Sequence, residues 1–268
     1  YWAKEVDDGY IFGDYSDGLS ENVFPKSERP LTEAEKKERK TRIIKAMKEA
    51  EAEQFKLWND TANKALNIWH SLKPADTNHR YLLKKQVNAY NLRQFENKLV
   101  LPLYDANGKI WSLQYINEDG EKRFLSGGKK KGCYFPIGKP KDNKIIVCEG
   151  YATGASIFEA TGQAVAISFD CGNLEQVVKG LLLKYPSYKI SIAADNDIKE
   201  NAPNVGLNEA KRISKLYNIN VYIPSFKDSQ EKCDFNDLMI KEGIEAVKDI
   251  FEPENTESEI KPQIPQGY

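Results

Sequence analysis

The chain is poor in the residues that carry soft-metal and redox chemistry. Its 268 residues include four cysteines, two histidines and two methionines. Cys133, Cys148, Cys171 and Cys233 are scattered with no CxxC or CxxH spacing, which argues against a structural zinc site and against a disulfide scaffold. Cys148 and Cys171 sit in apolar contexts and read as core thiols of a reduced, cytoplasmic protein. His70 and His79 have no cysteine partner and read as structural or surface residues. Long apolar runs are also missing, which leaves no candidate for a membrane-spanning helix. The opening YWAKEVDDGY has no basic region leading into an apolar run, so no secretory signal is expected. It starts on Tyr rather than Met, as expected of a piece of a longer protein. A net charge of one sign is absent as well: 39 Lys and Arg face 40 Asp and Glu, a net of −1. That total predicts no polyanionic partner. The length exceeds one average domain, and the 40% apolar content suffices for an ordinary core.

The near-zero total conceals a division. Residues 76–142 carry 13 basic and 7 acidic side chains, whereas residues 143–252 carry 12 and 16. A basic segment therefore precedes an acidic one, and local charge, not the sum, governs binding to a polyanion.

Five segments are expected. Residues 1–30, rich in Gly, Asp, Ser and Tyr, read as irregular, with a short strand around Tyr10–Phe12. Residues 31–75 form a long charged helix that opens on a Thr32–Glu35 capping box. Its second half carries the broader packing face, including Trp58, Leu66 and Trp69, so that half is expected to dock and the first half to project into solvent. Residues 76–142 form a basic α+β subdomain. Within it LVLPLYD, KIWSLQYI and EKRFLSGG, separated by the turns DANG and NEDG, read as a β-meander, and KKKGCYFPIG adds a further short strand. From 143 to 252 apolar strands (KIIVC, AVAISF, KISIAA, INVYIP) alternate with amphipathic helices. That is the pattern of a parallel sheet covered on both faces, an α/β fold. Residues 253–268, with Glu, Ser, Gln and Pro, read as a disordered tail.

Acids stand where parallel strands end. Glu149 closes KIIVCEG, Asp195 and Asp197 close KISIAADND, and Asp234 and Asp237 follow in KCDFNDLM. The carboxyl ends of strands line the crevice of an open α/β sheet. Carboxylates at the edge of a dry core need a counter-ion. Hard oxygen donors without histidine favour Mg²⁺ or Mn²⁺.

VCEGYATGASI followed by AADND and GLNEA resembles the Toprim domain, which DnaG-type primases share with type IA and II topoisomerases, OLD-family nucleases and RecR proteins. The resemblance implies a Rossmann-like parallel sheet with Glu149 as general acid or base or as a metal ligand, and Asp195 and Asp197 as metal ligands. CDFNDLM resembles the acidic segment that completes a primase metal site, which adds Asp234 and Asp237. The meander resembles the subdomain that precedes Toprim in primases; basic positions there fall on Arg123 and Lys131, with Lys122, Lys129 and Lys130 as neighbours. Trp111, Tyr115 and Tyr134 read as sheet packing rather than base-stacking platforms. HRYLLKKQVNAYNL and the N-terminal stretch have counterparts in plasmid and phage primases. The family implied is the Toprim-containing primase of plasmids, phages and integrative elements, of TraC-like or primase–helicase type. Such an enzyme makes short RNA primers from NTPs on single-stranded DNA with divalent ions, uses no zinc in this segment, and works with a helicase domain or protein. Two other readings stay open: a Toprim nuclease or topoisomerase-like enzyme, and a non-catalytic DNA-binding initiation module.

Overall fold

The computed structural model describes residues 2–6, 9–13, 20–24, 30–197, 203–229 and 231–251. The expected tail, 253–268, lies outside the described residues. The chain divides into two compact units, Tyr1–Thr61 and Ala62–Tyr268.

In the first unit β1 (Trp2–Val6), β2 (Gly9–Gly13) and β3 (Ser20–Val23) form an antiparallel sheet. The strand expected around Tyr10–Phe12 is β2, while β1 and β3 correct the expectation that the described residues around it are irregular. The alternation is disguised because the buried positions of β2 are Gly9, Ile11 and Gly13, while Tyr10 and Phe12 face outward. The helix α1 (Glu33–Ser71) begins at the expected capping box. Thr32 N donates to Glu35 Oε2 at 2.8 Å, and Glu35 N donates to Thr32 Oγ1 at 3.3 Å. Its first half does not project bare into solvent. Ala46, with Ile43 and Met47, packs against Val6 and Ile11.

In the second unit the last turns of α1 place Ala65 and Trp69 against Val100, Ile110 and Leu113. These belong to an antiparallel sheet ordered β4 (Lys73–Pro74), β5 (Arg93–Phe95), β6 (Lys98–Tyr104), β7 (Ile110–Asn117), β8 (Lys122–Phe124). A short helix, α2 (Arg80–Lys85), lies between β4 and β5. Both expected turns are present, with Gly108 and Gly120 at φ +85° and +93°, where a side chain would be strained.

The acidic half is a five-stranded sheet. Its elements in chain order are β9 (Phe135–Ile137), β10 (Lys144–Cys148), α3 (Tyr151–Thr161), β11 (Ala164–Ile167), α4 (Cys171–Lys184), β12 (Lys189–Ala193), α5 (Val205–Tyr217), β13 (Asn220–Tyr222), α6 (Phe235–Glu242) and α7 (Ile244–Phe251). The strand order is β13-β12-β10-β11-β9; the first four strands run parallel and β9 antiparallel at the edge. KIIVC and AVAI are buried almost throughout because α4 and α5 cover one face while α3, packed on α6 and α7, covers the other. The chain passes from β10 outward to β11 and then returns across β10 to β12. That reversal opens a crevice at the carboxyl ends of β10 and β12.

Candidate active site

Glu149 stands directly after β10, at the entry to α3. Its carboxylate accepts the backbone N–H of Cys171, and burial, followed by the nearby Asp170 and Asp197, raises it above the ordinary carboxylate range; Lys122 opposes the shift. A Cβ at Gly206 would lie 2.9 Å from Glu149 Oε1. The glycine in α5 is therefore what lets the helix pass so close to the acid.

Beyond β12 the chain makes a single antiparallel bridge. Asn196 N donates to Cys233 O at 2.9 Å, and Cys233 N returns to Asn196 O at 3.1 Å. In an antiparallel pair the residues flanking the bridge face one another across it, on the same side. Asp195 is thereby set against Asp234, and Asp197 against Lys232. The second pair is an ion pair, Lys232 Nζ to Asp197 Oδ1 at 2.6 Å. The first is a pair of like charges. Asp195 is pushed up to about 7, by burial first, then by Asp234, Glu149 and Asp197. Its Oδ1 is buried without a hydrogen-bond partner. Asp234 is likewise raised, chiefly by burial.

Asp234 and Asp237 also share a second task. Asp234 Oδ1 accepts from Asp237 N at 2.7 Å, and Asp237 Oδ2 from Asp234 N at 3.3 Å, which makes a capping box at the start of α6. Asp237 Oδ1 lies 3.9 Å from Lys85 Nζ. Asp237 thus serves the helix end and Lys85, while Asp234 alone of the two is set against Asp195.

The basic residues separate by strand face. On β8, Lys122 and Arg123 point to opposite sides. Lys122 Nζ lies 3.5 Å from where a Cβ on Gly150 would stand, and it is the cation that acts on both Glu149 and Asp195. Arg123 faces away, 78% exposed, and pairs with Glu121 at 2.8 Å. Lys129 lies over the Trp111 ring at 4.9 Å. Lys130 pairs with Asp170. Lys131 is half-buried, in no ion pair among the described residues. It precedes Gly132, whose N–H donates to Asn173 Oδ1 at 2.7 Å. Asn173 Nδ2 also donates to Cys133 O at 2.8 Å and Ser168 O at 2.9 Å, which ties the basic loop to α4. Trp111 is buried, with its indole N–H on Asp105 Oδ2 at 2.8 Å, and Tyr134 is buried too, so both pack as expected.

Three groups have roles that the sequence alone does not announce. Asp170 caps α4 through Asn173 N at 3.1 Å and adds a further acid beside Glu149; the signal for it is an acid closing AVAISFD before a helix. Tyr81 is buried, accepts a hydrogen bond from the backbone of Ala152 and is held protonated by burial and by Asp234. Lys232 has no signal beyond its place in EKCD, because its role depends on the bridge register.

Among the described residues no three His, Cys, Asp or Glu side chains are already gathered into a metal-holding cluster. The donor set nevertheless suits a hard divalent cation. It consists of carboxylates, one with an orphaned buried oxygen, and two of them are like-charged neighbours across a backbone bridge.

Residues 144–245 match the Toprim domain family, so the crevice just described belongs to a Toprim domain. The chain is also homologous to two Escherichia coli proteins named DNA primase TraC. One is 32% identical over 210 residues, 75% of this chain and 14% of the relative. The other is 35% identical over 184 residues, 65% of this chain and 17% of the relative. The chain therefore spans less than a fifth of the length of these curated relatives. Among solved structures, the primase fragment of the bacteriophage T7 primase-helicase protein aligns at a TM-score of 0.46 with 11% identity, covering 65% of this chain and 74% of that one.

Proposed function

We propose that this chain is the catalytic core of a mobile-element DNA primase, which joins NTPs into short RNA primers on single-stranded DNA. The observation that carries the reading is the like-charged Asp195–Asp234 couple at the Toprim crevice, in which Asp195 Oδ1 is buried without a hydrogen-bond partner, with Lys122 reaching the same crevice from the basic meander. Homology to proteins named DNA primase supports it.

Asp195 and Asp234 would hold one divalent cation and Asp197 a second, with Asp237 keeping α6 and Asp234 in place. Mg²⁺ or Mn²⁺ at these carboxylates supplies charge stabilisation for the transferring phosphoryl group. Glu149, raised by burial, takes the proton of the primer 3′-hydroxyl. Lys122 and Lys131 hold the triphosphate, since an ammonium is a compact partner for phosphate oxygens. Arg123, exposed on the outer face of β8, exchanges Glu121 for a template phosphate. Lys129 and Lys130 add positive potential along the same loop. No zinc takes part within this chain. The division of labour follows the charge: the segment 76–142 binds polyanions and the segment 143–252 does the chemistry. No described helix is long and apolar enough to cross a membrane, and substrates of this class place the work in the cytoplasm, alongside a helicase domain or protein.

The test is a gel of products from single-stranded DNA, labelled NTPs and Mg²⁺ or Mn²⁺. Short RNA is expected, lost in Asp195→Asn, with no cleavage when NTPs are omitted. Cleavage without NTPs that disappears in Glu149→Gln overturns the primase reading in favour of a nuclease. Binding of single-stranded DNA with neither activity, repeated with the full-length protein, favours the non-catalytic module.

A further inference from the structure

Lys232 stands on a carboxylate that the proposed function assigns to a cation. The bridge between Asn196 and Cys233 sets its two flanking pairs apart. On one side, Asp195 and Asp234 are both acidic, and Asp195 keeps a buried oxygen without a partner. On the other side, Asp197 Oδ1 already holds the Lys232 ammonium at 2.6 Å. The same ammonium acts on Asp195 and Asp234, though less than on Asp197. Two features make this ion pair exchangeable. Both side chains are well exposed, 58% for Lys232 and 41% for Asp197, and an exposed pair of this kind contributes little to stability. Lys232 also reaches Asp197 from a separate segment of chain, so it can withdraw without disturbing the bridge, which is made of backbone atoms alone.

We propose that Lys232 is a built-in monovalent occupant of Asp197 that competes with the second divalent cation. The inference rests on the proposed metal-dependent reading of the site. The two cation positions are then unequal. The Asp195–Asp234 side receives its cation without displacing anything, whereas the Asp197 side receives one only as the Lys232 ammonium leaves. Lys232 acts through Asp197, so it is a positioning residue. Its effect is to make occupancy of the second position weaker than that of the first, and dependent on what the freed ammonium finds. A phosphate oxygen of an arriving nucleotide is the partner of matching charge.

The experiment is a Mn²⁺ titration of the chain without nucleotide, following free Mn²⁺ by electron paramagnetic resonance. Wild type is compared with Lys232→Met, which keeps the length and loses the charge, and with Lys232→Arg. Two unequal sites are expected in wild type. In Lys232→Met the weaker site should tighten roughly three- to fivefold, the size of an exposed ion pair, while the stronger site, which the ammonium touches less, tightens by less; Lys232→Arg should remain close to wild type. Added ATP should narrow the gap between the sites in wild type and change it less in Lys232→Met. An unchanged weaker site in Lys232→Met overturns the proposal. Asp195→Asn separates the two levels of failure. If wild type binds Mn²⁺ and Asp195→Asn loses the strong site, the metal reading stands and the Lys232 result judges this inference alone; if no variant and no wild type binds Mn²⁺, the metal reading falls and this inference with it.

Discussion

At the scale of the residue, Asp195 is the most costly group in the site without metal. Its carboxyl is pushed up to about 7, against an unfolded value near 4. Between those values the folded chain binds more protons than the unfolded one, so stability falls as pH rises through that window. Asp195→Asn removes the slope. In EDTA at pH 8 it should stabilise the second unit by on the order of 2–4 kcal/mol and raise the melting temperature by roughly 5 °C, while abolishing primer synthesis. Melting curves from pH 5 to pH 8 check this; an identical pH slope in wild type and variant contradicts it. The cations make a second expectation. Lys122→Ala should raise the KM for NTP. Arg123→Ala should lower affinity for single-stranded DNA, and the log–log salt slope should drop by about 0.7, the share of a single phosphate that is no longer neutralised. Filter binding at several salt concentrations distinguishes the two faces of β8.

At the scale of the element, legibility in the sequence follows from how much of the pattern each segment carries by itself. KIIVC and AVAI are continuous apolar runs, so a parallel sheet is legible, and with it the strand-end acids Glu149, Asp195 and Asp197. The first sheet is not, because glycine holds two of the three inward positions of β2. The docking of the first half of α1 is hidden for a related reason: only Ile43 and Met47 mark a thin stripe, and the positions it buries most, Ala46 and Ala50, are too small to widen it. The pairing of Asp197 with Lys232, and the split between Lys122 and Arg123, need register, which no local pattern encodes. Gly206 belongs to this scale too. In Gly206→Ala the new Cβ meets the far end of Glu149, and that flexible end can swing away at little cost to folding. If Glu149 takes the proton as proposed, activity should fall roughly 10- to 100-fold on its displacement by about 1 Å, with the melting temperature nearly unchanged. A variant that melts early but keeps full activity at low temperature speaks against that role for the glycine. In the first unit, Thr32→Ala should cost about 1 kcal/mol through the missing cap, measurable as lower helicity on urea titration.

At the scale of the whole molecule, the basic loop between β8 and β9 starts in the antiparallel sheet and ends in the Toprim sheet. Asn173 pins Gly132 and Cys133, near its end, to α4. The backbone that follows Lys131 is therefore held in place. Asn173→Ala should release the loop and raise the KM for NTP more than it lowers kcat; steady-state kinetics with saturating template tests this, and an equal fall in both kcat and kcat/KM argues for a wider structural loss.

The strand order β13-β12-β10-β11-β9 has a further consequence, in time. β6 and β7 are joined by a short turn and can zip together early. β10 meets β12 only after two helices and β11 have been laid down between them, and bringing together strands so far apart in the chain is slow. The crevice between their ends is thus a late product of folding, absent from any early nucleus. A divalent ion bound there should slow unfolding and leave the refolding rate almost unchanged. Stopped-flow unfolding in urea with Mn²⁺ or with EDTA measures that asymmetry.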